Sequence, residues 1–108
     1  MAQDYVVVNE KSENGMIAVN KSVFQAIADI SLSEIENISA SENGRFAKPT
    51  QVKIENNKLI ISADIKVKYG ANVSAACELL QNKIYENILF MTGYKASDVR
   101  VNVVGFEI

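Results

Sequence analysis

The sequence predicts an α+β fold: a two-layer sandwich with two helices packed on one face of a mixed or antiparallel sheet, in the order β-α-β-β-β-α-β. Three observations predict it. Apolar and polar residues alternate along 52–69 and again along 99–104. Apolar residues recur at helical spacing along 21–36 and 73–91. The chain has 108 residues, enough for one domain that buries roughly two-thirds of the surface its unfolded form exposes.

The elements follow in order. Residues 1–14 are polar apart from Tyr5-Val-Val-Val8, and read as a flexible arm with a candidate edge strand; residues 15–108 read as the single α/β domain. Met16-Ile-Ala-Val19 suits a short strand after Gly15. Asn20 offers a helix N-cap, because its side-chain oxygen can accept from an orphan backbone N–H. Val23, Phe24, Ile27, Ile30 and Ile35 then fall on one broad helical face, and the helix is expected to stop near Glu36, with Asn37 in the left-handed conformation. Ile38–Ser41 reads as a strand, and 41–49, with Glu42-Asn-Gly44 and the only proline, as a surface loop.

The hairpin that follows is the clearest local signal. Asn56-Asn57 suits a two-residue turn, since asparagine tolerates positive φ. Such a turn sets Ile54 opposite Leu59 and Val52 opposite Ile61 on one apolar face, and Glu55 opposite Lys58 on the other. The alternation continues through Ala63, Ile65, Val67 and Tyr69 and stops at Gly70. Asn72 or Ser74 caps a second helix whose stripe is Val73, Ala76, Cys77, Leu80, Ile84, Ile88 and Met91, ended by Gly93. A last strand alternates Val99, Val101 and Val103 with Arg100, Asn102 and Val104, and ends near Gly105-Phe106.

Composition narrows the chemistry. Eleven basic and 13 acidic residues give a net charge of −2, which provides no field to collect nucleic acid. With no histidine, neither a Ser-His-Asp triad nor an imidazole metal site can form. Cys77 is the only cysteine, so no internal disulfide forms, and its place on an apolar stripe reads as core. Glu34 and Glu36 project to different sides of a helix, unlike a catalytic carboxylate pair across a cleft. The five glycines are isolated and build no phosphate loop. The expectation is a non-enzymatic protein with no cofactor and no metal. The start of the chain is polar and acidic, and the apolar runs are too short to cross a bilayer, so a cytoplasmic protein is expected.

Three stretches resemble the alkaline shock protein family of Gram-positive bacteria. They are Gly15 to Ile38; Val67-Lys-Tyr-Gly-Ala-Asn-Val73; and Met91-Thr-Gly-Tyr94 followed by Val99-Arg-Val-Asn-Val-Val-Gly105. Family members usually carry glycine where this chain has Asn37, proline where it has Ser74, and a polar residue where it has Val104. The resemblance implies a cytoplasmic protein of cell-envelope stress response and homeostasis. It would be held at the inner face of the membrane by a separate membrane-anchored protein, would self-associate into homo-oligomers, and would carry no catalytic residues.

Lys53, Lys66, Lys68 and Arg100 share the outer sheet face, and Ile60 and Val104 add apolar area beside them. These six residues form the candidate interaction surface, suited to protein partners. A small RNA-binding module is the alternative function. It is disfavoured by the net acidity and by Tyr69, which alternates with the core residues and so is not free to stack a base.

Overall fold

A computed structural model describes residues 4–12, 15–40 and 50–107. Its elements are β1 (Tyr5–Ser12), β2 (Gly15–Asn20), α1 (Lys21–Ser33), β3 (Ile38–Ala40), β4 (Thr50–Glu55), β5 (Lys58–Lys68), α2 (Val73–Thr92) and β6 (Asp98–Glu107). The fold is α+β, as the periodicities predict. The strands fall into two sheets rather than one. β1 and β2 form an antiparallel pair of their own, while β3, β4, β5 and β6 form a four-stranded mixed sheet.

β5 organises the larger sheet. Its first half pairs antiparallel with β4, from Glu55↔Lys58 to Thr50↔Ala63, and its second half with β3, from Ile65↔Ala40 to Val67↔Ile38. Its other edge pairs parallel with β6 along Ile60 to Lys68. The turn between β4 and β5 holds Asn56 at φ 50° and Asn57 at φ 58°, the conformation a two-residue hairpin needs, so the predicted register holds residue for residue. Leu59, Ile61, Ala63, Ile65 and Val67 face the helices and are buried; Ile60, Ser62, Asp64 and Lys66 face the other way.

Both helices begin as expected. The Ser22 N–H donates to Asn20 Oδ1 at 3.1 Å, and the Ala75 N–H donates to Asn72 Oδ1 at 3.1 Å, so Asn72 rather than Ser74 caps α2. Gly93, at φ 75°, ends α2 in the left-handed conformation, its N–H reaching Leu89 O at 2.9 Å. α1 stops earlier than predicted and by a different device. Glu34 stays right-handed, and the Glu34 and Ile35 N–H groups reach back three residues, to Ser31 O and Leu32 O. Asn37 is not left-handed: Asn56 and Asn57 are the non-glycine residues with positive φ among those described.

The phase of α1 also needs correction. Its buried side is Phe24, Ile27, Ala28, Ser31 and Leu32, continued by Ile35, whereas Val23 and Ile30 are exposed. The period was right, but the true stripe admits a serine. Ser31 is tolerated because its hydroxyl donates to Ile27 O at 2.8 Å and accepts from Asn87 Nδ2 of α2 at 2.8 Å. On α2 the predicted stripe is buried at Ala76, Leu80, Ile84 and Ile88 and partly buried at Val73 and Cys77, but Met91, in the last turn, is exposed.

The segment expected as an arm contains β1, which docks through backbone groups. Val7 N–H donates to Asn57 Oδ1 at 2.9 Å, and Lys21 N–H donates to Asp4 O at 2.7 Å. Val6 is fully buried in the common core. The expected loop at 41–49 lies outside the described residues.

Candidate interaction surface

The outer face of the four-stranded sheet follows from the same alternation that builds the core. Because β4, β5 and β6 are in register, every second residue of each points away from the helices. Lys53 of β4 lies beside Ile60 of β5, which lies beside Asp98 of β6; the next outward row is Gln51, Ser62 and Arg100. Lys66 and Lys68 lie six and eight residues beyond Ile60, about 20 Å or more along the strand. The face therefore gathers Lys53, Ile60 and Arg100 at one end and Lys66 and Lys68 at the other, with an Asn102 Nδ2 to Asp64 Oδ1 hydrogen bond of 3.2 Å between them.

Its charge is more balanced than a count of lysines suggests. Lys53 Nζ pairs with Glu55 Oε1 at 3.1 Å, and Arg100 Nε with Asp98 Oδ2 at 2.7 Å. Each partner lies two positions away on the same strand, hence on the same face. Lys68 lies beside Glu107 of β6. Lys66 takes part in no ion pair among the described residues, and its stem lies over Gly105, where an added Cβ would meet Lys66 Cγ at 3.9 Å.

Val104 departs from the expected row. The register passes from Ile65↔Val103 to Lys66↔Gly105, so Val104 is the extra residue of a β-bulge and has no partner on β5. It is 44% exposed. The bulge also shifts the phase beyond it, so that Phe106 comes into register with Val67.

Tyr69 also departs from expectation. β5 ends at Lys68, and Tyr69, in the turn before Gly70, is 75% exposed rather than part of the core. Its ring meets Phe106 edge-on, with centroids 6.5 Å apart, and its N–H donates to Glu107 O at 2.8 Å. The adjacent glycine, which ends the alternation, was the signal that could have found it. Phe90 is exposed on α2, and no sequence argument singled it out.

Grooves lie elsewhere on the described residues. One, of about 590 Å³, is lined by Asp4, Asn20, Lys21, Ser22, Gln25, Ala26 and Asp29. Several of its polar groups are engaged in structure: Asn20 caps α1, and Gln25 and Asp29 form a hydrogen-bonded chain with Thr50 from α1 to β4. Another, of about 380 Å³, lies between the end of α1 and the start of α2 and is lined by Glu34 and Glu36 among others. Glu34 also faces Lys83 at 3.7 Å. Cys77 lines neither groove and packs, half-buried, against the core. No group of three or more cysteine, aspartate or glutamate side chains is placed to hold a metal among the described residues.

No helix among the described residues is long and apolar enough to cross a membrane. A search of curated proteins finds no match for the chain. The model of the alkaline shock protein 23 family, described as having a cell envelope-related function, matches residues 9–108, from within β1 through β6. The match takes in both sheets and both helices, and the chain belongs to the alkaline shock protein 23 family.

Proposed function

We propose that this chain is a non-catalytic, self-associating protein of cell-envelope homeostasis, recruited to the inner face of the cell membrane by a membrane-anchored protein. The observation that carries the reading is the uncovered outer face of the four-stranded sheet. Both helices pack on the opposite face, and the outer face offers Ile60, half-buried, within a field of mixed charge. An apolar residue set between charged side chains, as Ile60 is between Lys53 and Asp98, suits a protein-contact patch. The family's cell envelope-related function supplies the biological setting. Lys53, Ile60, Lys66, Lys68 and Arg100 are the contact residues of this reading, with Val104 at its rim.

The exposed Tyr69–Phe106 pair gives a base-stacking reading its one favourable observation. The two rings meet edge to face and occupy each other, and the net charge of −2 opposes a nucleic-acid backbone. Protein contact remains the better-supported use of the surface.

The test is affinity purification of the full chain from native membranes, alongside the Ile60→Asp and Lys66→Glu variants. Recovery of one defined membrane-spanning protein, reduced in both variants, is expected. Equal recovery by variants and unaltered chain would remove the sheet face from the reading. Recovery of none, with a strictly monomeric sedimentation profile, would contradict it altogether.

A further inference from the structure

We infer that the free edge of β6 pairs antiparallel, about a two-fold axis, with β6 of a second copy of this chain; this rests on the self-association proposed above and names its surface. Among the described strands β6 is ladder-bonded to β5 alone, and no described strand takes its other edge. An open edge is a row of unpaired backbone donors and acceptors, able to template another strand. The opposite side of β5 differs. There the edge is divided between the three residues of β3 and the six of β4.

The side chains carry the same message. Val99, Val101 and Val103 point to the core, as do their partners Ile61, Ala63 and Ile65, yet the β5 residues are fully buried and the three valines only partly so. What β6 lacks is a neighbour on the side away from β5. The usual devices that protect an edge are sparse. There is no proline, and Arg100, the only basic residue of the strand, is held by Asp98 of the same strand. The protective bulge comes only at Val104, after the regular stretch.

Complementarity fixes the register. A two-fold axis through Val101 sets Val101 against its own copy, Val99 against Val103, and Arg100 against Asn102. All three valines are then matched, and no like charges lie opposite each other. Moving the axis to Arg100 sets two arginines face to face, and moving it to Asn102 leaves Val99 opposite Gly105. Gln81 Nε2 of α2 donates to Val99 O at 3.1 Å, and a carbonyl has a second lone pair for another donor. Two copies so joined share one continuous sheet with all four helices on the same side.

The test is disulfide trapping in the full chain. Opposed residues of an antiparallel pair have Cα atoms about 5 Å apart, within the range a disulfide spans. On a Cys77→Ala background, Val101→Cys should give roughly tenfold more covalent dimer on mild oxidation than Lys53→Cys, which lies on the far edge strand. A mixture of Arg100→Cys and Asn102→Cys chains, both altered at exposed positions, should give the mixed dimer in preference to either homodimer. This second arm remains decisive if Val101→Cys folds poorly. A chain that sediments as a dimer but shows neither preference would overturn the β6 pairing and leave self-association standing. A chain that sediments as a monomer would overturn both.

Discussion

β5 and β6 lie side by side and carry the same kind of alternation, yet they end in different states. The inward residues of β5 are wholly buried, while the inward valines of β6 keep part of their surface in water. The two strands share a helix layer and a register, so neither periodicity nor hydrophobicity accounts for the difference. Position does: among the described strands, β5 has neighbours on both sides and β6 on one. The alternation of a strand reports which face is buried, and the number of its neighbours decides how completely.

The largest test of this contrast is Ile65→Ala in β5. The residue is 0% exposed, and the cavity should cost about 2–5 kcal/mol by chemical denaturation. A loss as small as that of the matching change in β6 would break the contrast. Asn57→Ala should come next. It removes the hydrogen bond to Val7, about 1 kcal/mol, and places a Cβ-bearing residue without asparagine's local polar compensation at positive φ, about another 1 kcal/mol. Exchange of the β1 and β2 amides should rise more than that of β5, because the Asn57 side chain is one of the ties between the two sheets.

Tyr94→Phe should cost about 1 kcal/mol near neutral pH, since the Tyr94 hydroxyl donates to Asn57 O. Burial raises the Tyr94 pKa above its ordinary value. The folded state therefore holds this proton more tightly than the unfolded chain does. The stability so contributed is fully present below about pH 10 and is lost as pH rises through the folded-state value. A melting series across the alkaline range should show a shallower decline for Tyr94→Phe; an identical slope would exclude Tyr94 as a contributor. The smallest effect is expected from Val101→Ala, about 0.8 kcal/mol in dilute solution, because only part of the side chain leaves water within one copy. Sharpening the contrast needs the same measurement at high protein concentration, where the loss should grow as the second copy completes the burial.

Much of the fold was legible because its signals are local. The hairpin register followed from Asn56 and Asn57 and from a period of two, and the caps at Asn20 and Asn72 from side-chain chemistry within a few residues. The misreadings share a different cause. Ser31 is buried because Asn87, far along the chain, reaches its hydroxyl, so no hydrophobicity argument could place it on the inner stripe of α1. Val23 and Ile30 were taken for core because they are apolar, although the packing direction of α1 leaves them outside. The division into two sheets depends on strand pairing, which one sequence does not encode locally. On the candidate surface, Lys53, Ile60, Arg100, Lys66 and Lys68 were assigned to the correct face by parity alone. Parity fails at a bulge, which is why Val104 is expected in the outward row although it has no partner on β5, and why Phe106 is not placed. The ion pairs of Lys53 with Glu55 and of Arg100 with Asp98 were open to the same parity rule, since residues two apart on a strand share a face.

Amide hydrogen exchange of the unaltered chain at low and high concentration tests the contrast between β5 and β6 most directly. Between those conditions, β5 should stay slow, while the alternate N–H groups of 98–103 that point away from β5 pass from fast to slow exchange. Protection of 98–103 that is the same at every concentration would contradict an edge completed by a second copy.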